Sequence, residues 1–329
     1  MSAERAACPA CGTQQRVNKT GTIRKHAAGP VPCTGSGQPV GPARIPRRSA
    51  SGYYLCPVTG RYLKSVTTII GQGSPKEAVT HWAGNIVAQT AMDNLPRLVQ
   101  ASMDPVKAKE AYDWLRHAHT RKKDERAAIG SAVHQLIEAK VLGKPVPEEI
   151  LADPELAPYT TNFEAFVRDW RVEFEASEMV VANYTEGYAG TLDYMLRSEL
   201  IAEAIGAPAD AVLLGDTKTG GALGERTYGG GIKGVYPEAG VQMAAYRRAE
   251  YGWLRDGTRV ELPRAYEIGV VLHLRPEGYR LYPLRCGDEV FEAFLHIRQV
   301  AEFHSGLAKN VVGQALTPPT RTSQAQEVA

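Results

Sequence analysis

The chain has 329 residues, 43% hydrophobic and 22% charged, with a formal net charge of +2, enough apolar content to bury one sizeable core. This excludes a disordered polyelectrolyte. It also excludes a helical membrane protein, because no apolar run reaches the roughly 20 residues that cross a bilayer. MSAERAACPA carries no secretory apolar stretch, so a soluble, cytoplasmic protein with no membrane partner is expected.

The net charge conceals an asymmetry. Residues 1–50 contain eight Lys or Arg against Glu4 alone, a balance of +7, which leaves −5 on the rest. A basic segment on a mildly acidic body suits a polyanion, because each neutralised phosphate releases counterions. Arg16, Lys19, Arg24 and Lys25 are therefore candidate DNA contacts, with a solvated, solubilising arm as the alternative. The same segment holds Cys8-Pro9-Ala10-Cys11, His26 and Cys33. Four such ligands suffice for a closed tetrahedral Zn2+ site in a segment too short and polar to fold by burial. The spacings match no strict finger template, and a reduced, disordered arm is the alternative. Cys56 could replace His26 or Cys33, or be a free thiol like Cys286. The organisation expected is a zinc-binding basic module over 1–40, a linker over 41–51 within the Gly-, Pro- and Arg-rich stretch from Gly35 to Arg48, a main domain over 52–312, and a disordered polar tail over 313–329.

Along the main domain, Lys107 to Arg126 is helical in pattern and bears Arg121, Lys122 and Lys123. These could line a DNA channel or form a solvated face diluted by Glu110, Asp113, Asp124 and Glu125. Gly130-Ser131-Ala132-Val133-His134 opens a helix that Gly143 and Pro145 stop, with His134 and Glu138 one turn apart on a shared face. Tyr159 to Glu175 places Phe163, Phe166, Val167, Trp170 and Phe174 on one stripe, predicting a core-packed helix. Strands follow over Val180 to Tyr184, Ala189 to Leu196 and Ala211 to Thr217. The second and third of these end near Asp193 and Asp216, and alternation points Lys218 to the same side as Asp216. Gly220 to Tyr236 contains seven glycines, which predicts a mobile, strand-gripping loop or a disordered insertion. A helix carrying Gln242 and Tyr246, strands over Tyr266 to Leu274 and Gly278 to Leu284, and a helix from Asp288 to Phe303 complete a mixed sheet covered by helices.

Two carboxylates converging on one point repel unless a cation lies between them, and hard oxygen ligands suit magnesium or manganese. A lysine beside such a cation could stabilise charge on a phosphate oxygen. Two strand-end aspartates making turns, beside a solvated lysine, are the plain alternative.

Taken in order, GSAVHQLIE, YAGTLDYML, LLGDTKTG and QMAAY resemble the nuclease motifs of the PD-(D/E)XK superfamily, in its RecB-like branch of phage and CRISPR-associated exonucleases. The similarity spans about Ser65 to Ala308, and SVTTIIGQGSPKEAVTHWAGN more loosely resembles the helical segment that precedes the core in phage members. The resemblance implies an α/β fold with a restriction-endonuclease-like core. It makes His134, Asp193 and Asp216 side-chain ligands of Mg2+ or Mn2+, the Thr217 carbonyl a further ligand, and Lys218 the catalytic lysine. Gln242 and Tyr246 match the family's Q-x-x-x-Y, and Glu138 corresponds to a variable supporting carboxylate. Relatives that hold an iron–sulfur cluster use three cysteines after the core, where this chain has only Cys286, so no such cluster is expected. The implied function is metal-dependent DNA exonuclease activity leaving 5′-phosphates, in phage recombination, replication or repair, within a bacterial host and with a phage recombination or replication protein as a further partner. A structure-specific or end-trimming endonuclease of the same fold, and a non-catalytic zinc and nucleic-acid binding protein on a relic fold, are the alternatives.

Overall fold

The computed structural model describes residues 5–28, 31–41, 45–56, 60–74, 77–227 and 230–316. Arg44 and most of the tail expected over 313–329 lie outside these residues.

The N-terminal part folds as two short ribbons, β1 (Arg5–Ala7) with β2 (Gln14–Arg16) and β3 (Ala27–Ala28) with β4 (Val31–Pro32). The chain then forms a hairpin of β5 (Tyr53–Leu55) and β6 (Tyr62–Ser65) and enters α1 (Val66–Gly73). Ser65 caps that helix, its hydroxyl accepting from the Thr68 amide, which satisfies one of the donors a helix start leaves unpaired. Next come α2 (Glu77–Asp93), α3 (Leu95–Ser102) and α4 (Pro105–Arg116), whose described residues include no fully buried side chain.

The basic stretch expected as one helix over 107–126 breaks at His117, and α5 (Ala118–Val141) begins one residue later. Gly130 therefore lies inside α5 and does not open it. Glycine in a helix interior costs about 1 kcal/mol relative to alanine. A Cβ at Gly130 would lie 3.5 Å from the Thr219 hydroxyl, an ordinary packing distance, so the helix passes close to the end of β9 there.

After α6 (Glu148–Leu151), α7 (Ala157–Asp169) ends six residues short of the helix expected to Glu175. Arg171 adopts a left-handed φ of 48°, which turns the chain into β7 (Glu173–Asn183). Phe174 thus packs from a strand, stacked on Phe163 at 6.0 Å between ring centres. Its apparent place on the helical stripe is a coincidence of spacing.

The remaining elements are β8 (Tyr188–Arg197), α8 (Glu199–Ile205), β9 (Leu213–Lys218), α9 (Pro237–Arg247), β10 (Tyr251–Trp253), β11 (Arg259–Glu261), β12 (Ile268–Arg275), β13 (Gly278–Arg285) and α10 (Asp288–Ser305). The main sheet runs β11-β10-β7-β8-β9-β12-β13, with β6 beside β8 and β5 outside it. β7, β8 and β9 form an antiparallel meander, whereas β12 lies parallel to β9. A parallel neighbour needs a crossover, and α9 lies in that connection.

Both sheet faces are covered, which explains the nearly unbroken burial along β9 and β12. Leu214 and Val271 face α1, α9 and α10, while their chain neighbours Leu213, Val270 and Leu272 face α5 and α7. Two glycines make room for aromatic rings in this sheet. A Cβ at Gly215 would strike the Tyr194 ring, and one at Gly190 would strike Tyr246.

Gly215→Ala should therefore lower stability by about 1–3 kcal/mol through overpacking. Gly71→Ala, in α1 with nothing within 4 Å of the added carbon, should be neutral or stabilising by about 0.5–1 kcal/mol. Denaturant unfolding of the two variants checks the pair; equal effects would contradict the packing described.

Candidate functional site

The sheet and α5 bring five ionisable side chains to one place. α5 contributes His134, β7 Glu178, β8 Asp193, and β9 both Asp216 and Lys218. His134 Nδ1 lies 3.4 Å from Glu178 Oε1 and 3.7 Å from Asp193 Oδ2. Donor atoms of His134, Glu178 and Asp193 all fall within 4.8 Å of one another. Asp216, 3% exposed, has its Oδ1 accepting from Lys218 Nζ at 2.7 Å. As alternation in the strand predicts, the two side chains share a side. The Asp216 Oδ2 lies 2.5 Å from that ammonium but accepts no aligned hydrogen bond.

Thr217 meets the site through its amide, which donates to Asp193 Oδ2 at 2.8 Å, and its hydroxyl lies 3.1 Å from the Tyr194 hydroxyl. Tyr246 is buried over Gly190 with Gln242 beside its hydroxyl; burial first, then nearby Tyr54, Asp193 and Asp216, push the phenol well above its ordinary range. Glu138 lines the cleft beside His134 and pairs with Arg255 from the β10–β11 turn.

Glu178 was not identifiable from the sequence as a site residue. A glutamate in a strand of mixed polarity resembles any solvated side chain, and the one signal that marks it is structural. Its backbone adopts φ 47°, uncommon for a residue with a Cβ and found where surroundings hold strain at functional positions. The flanking register, Ser177 opposite Tyr194 and Met179 opposite Leu192, sets Glu178 across from Asp193.

The electrostatics follow from three carboxylates sharing a poorly hydrated site with two cations. Burial first, then the Asp193 charge, raises Asp216 to about 6 despite Lys218. Burial likewise raises Asp193 against the pull of His134 and Lys218. Burial opposes charge on His134, yet Glu178 and Asp193 prevail and raise it to about 9. Lys218 is also raised, because Asp216 and Asp193 outweigh its desolvation. The donors are hard oxygens and one imidazole, one buried oxygen accepts no aligned hydrogen bond, and negative charge is in excess. This set fits a divalent cation such as magnesium or manganese.

The N-terminal cluster is built from different donors. Cys8, Cys11, His26 and Cys33 place their ligand atoms within 4.8 Å of one another. Cys8 and Cys33 Sγ are 3.8 Å apart, and Cys11 Sγ is 3.3 Å from His26 Nε2. His26 Nδ1 lies 2.9 Å from the Arg24 carbonyl, the outer contact that orients a ligating imidazole. Burial raises Cys33 to about 12, whereas for Cys11 the contacts from Thr13 and His26 overcome burial and lower it to about 7. This Cys3His cluster could bind zinc. Cys56 is not part of it. The module rests on the main sheet: a Cβ at Gly12 would lie 2.5 Å from the Gly257 carbonyl, and Cys8 and Cys11 share an apolar cluster with Ala182 and Trp253.

Of the candidate basic contacts, Arg16, Lys19, Arg24 and Lys25 are exposed, and no ion pair engages them among the described residues. The α5 group is more occupied. Arg121 stacks on Trp114 at 5.0 Å and Lys122 pairs with Glu125 at 2.8 Å, while Lys123 is exposed. The glycine-rich stretch, outside residues 228–229, is folded on itself and tied to the sheet at Gly220. Arg226 and Val235 each bridge Ile232, Lys233 pairs with Glu225, and His273 Nε2 lies 2.8 Å from the Gly220 carbonyl.

No protein-family model matches this chain, and no curated protein matches it. Among the described residues no helix is long and apolar enough to cross a membrane.

The raised His134 has a consequence for stability with a definite sign. Between 6.5 and about 9 the folded protein holds a proton that the unfolded chain has released, so stability falls as pH rises through that window. Asp216 produces a fall of the same sign from 3.8 to about 6. Protein prepared without added magnesium or manganese should melt at lower temperature at pH 9 than at pH 6.5, and His134→Gln should flatten this dependence. An unchanged slope in the variant would remove the His134–Glu178–Asp193 interaction from the account.

Proposed function

We propose that this chain is a metal-dependent DNA exonuclease of the RecB-like kind its motifs resemble, carrying a structural zinc module. The observation that supports this most is the convergence of His134, Glu178, Asp193, Asp216 and Lys218 from one helix and three adjacent strands, in the order helix, three-strand meander, helix, parallel strand. Packing alone does not call for three carboxylates in one cleft, one of them buried. Magnesium or manganese would be held by His134, Asp193 and Asp216, with Glu178 added to the set and the Thr217 carbonyl supplied by the resemblance. When bound, the cation supplies Lewis acidity and neutralises charge on a phosphodiester.

The chain's own groups then have separable roles. Water adds across the ester: its oxygen bonds to phosphorus as the P–O3′ bond breaks, and a proton passes to the leaving 3′ oxygen, leaving a 5′-phosphate. Lys218, held by Asp216, donates to a phosphate oxygen on which negative charge grows. The Thr217 amide fixes Asp193, and the buried Tyr246 with Gln242 supports the strand that carries it. DNA is the partner in this reading, and phage recombination, replication or repair its setting.

Digestion of end-labelled single- and double-stranded DNA with magnesium, manganese or EDTA tests the activity, and circular DNA separates an exonuclease from an endonuclease. Asp193→Ala and Asp216→Ala should each lose about a thousandfold or more, since several kcal/mol of charge stabilisation go with the cation. Lys218→Ala should lower turnover by about 10²–10³ while leaving the magnesium dependence in place, because its role is in the transition state. Wild-type rates in either aspartate variant, or full rescue of Lys218→Ala by added magnesium, would defeat the mechanism.

For the module, purified protein should contain about one zinc per chain that excess magnesium does not displace, because thiolates prefer the softer ion. Cys11→Ser should release zinc and lower the melting temperature. Metal analysis finding no zinc in reduced protein would set the zinc reading aside.

A further inference from the structure

A groove of about 1320 Å³ lies between the Cys3His module and the main sheet. One wall is the module, through Pro9, Thr34 and Pro39; the other includes Tyr54, Val180 and Thr191. Glu178 lines this groove and also the cleft that holds His134 and Asp193. Glu178 is thus the residue the groove shares with the carboxylate cluster, which adjoins one end of the groove.

Its charge is uneven in a telling way. Among the described residues, Arg47 and Arg48 are the only cations in its lining and Glu178 the only acid, at the end nearest the cluster. Neither arginine is in an ion pair among the described residues. Arg48 is nonetheless held in place: its Nε donates to Ser65 Oγ and its Nη2 to Thr68 Oγ1, each at 3.3 Å. A guanidinium positioned by hydroxyls and left without a carboxylate is suited to a phosphate. The remainder of the lining is largely apolar, including Val40, Ile45, Pro46 and Leu55.

We infer that this groove is a binding site for single-stranded nucleic acid, with Arg47 and Arg48 on the phosphates and the apolar walls against the bases, and that it leads the strand to the carboxylate cluster. A duplex presents phosphates outward and keeps its base faces stacked inside, so it has no use for an apolar wall. A single strand exposes those faces, and proteins that hold one combine a cationic track with apolar or aromatic surfaces. Delivery to the cluster rests on the nuclease reading; strand binding does not.

The test uses full-length protein carrying Asp216→Asn, so that the probe survives in magnesium, with fluorescein-labelled oligothymidylate, oligouridylate and a blunt DNA duplex as probes. Val40→Glu and Arg47→Glu place negative charge in the groove at exposed positions outside the core. Each should weaken oligothymidylate binding by about tenfold, leave duplex binding unchanged, and leave the melting temperature unchanged. A parallel loss on oligouridylate would mean the site accepts RNA as well as DNA, within the class proposed. Unchanged single-strand affinity overturns the inference and points to a polypeptide against the apolar walls; equal losses on strand and duplex overturn it too. Cleavage by the protein with Asp216 intact is read alongside. Strand binding through the groove without cleavage would sink the nuclease reading alone, and normal cleavage by both groove variants would sink the groove's role in delivery alone.

Discussion

The interaction on which this structure turns is the mutual repulsion of Asp193, Glu178 and Asp216, three carboxylates brought to one poorly hydrated point by adjacent strands. Burial favours the neutral forms of Asp193 and Asp216, and the charge of Glu178 reinforces this at Asp193 as that of Asp193 does at Asp216. His134 and Lys218 offset the repulsion in part, since one carries charge up to about pH 9 and the other is raised further. Much of the surrounding architecture serves to hold this arrangement. α9 returns the chain so that β12 can lie parallel to β9, and that places the Asp216–Lys218 pair on a central strand, with Asp216 buried and Lys218 reaching the cleft.

A site of this kind stores free energy that a binding event can release. Glu178 at φ 47°, Asp216 Oδ2 without an aligned donor, and a histidine bearing a proton it would lose on ligation are three separate departures from what folding alone would select. A divalent cation there would offset the crowded carboxylate charge in place of the His134 proton, which it would have to displace, while the Glu178 backbone angle is set by the fold; the cation reading therefore draws on the set of side chains and not on any one of them. The Cys3His cluster has the opposite character. Its donors are soft and enclosed, and it lies where the ribbons have little core of their own. Here a metal ion would serve the fold, and the two sites need not compete for the same ion.

The sequence conveyed the elements whose signals are local and lost those that depend on tertiary placement. Asp193, Asp216 and Lys218 stand at the ends of apolar strand-like runs, and Cys8, Cys11, His26 and Cys33 are a ligand set by type and spacing. Helical periodicity located the last helix to within two residues of α10. Glu178 was invisible because its distinguishing property is a backbone angle. β10 and β11 were missed because three-residue strands carry too short an alternation to read. The helix boundary near Trp170 was misplaced because Phe174 continued a stripe that the left-handed turn at Arg171 interrupts. Gly130 suggested a helix start on propensity, whereas α5 already begins at Ala118 and runs through it.

The packing of the module against the sheet changes what its basic charge can do. On a free arm, Arg16, Lys19, Arg24 and Lys25 would sample a wide volume and contribute mainly nonspecific attraction to a polyanion. Seated on the β10–β11 hairpin through Gly12 and sharing apolar contacts with Trp253, the module instead presents a fixed wall to the groove that ends at Glu178. On the proposed reading, long-range attraction by the exposed cations and short-range selection by the groove would be separate tasks of one small domain. Metal loss at the Cys3His cluster would affect the second before the first, because the charges stay on the chain while the wall that organises the groove depends on the cluster remaining closed.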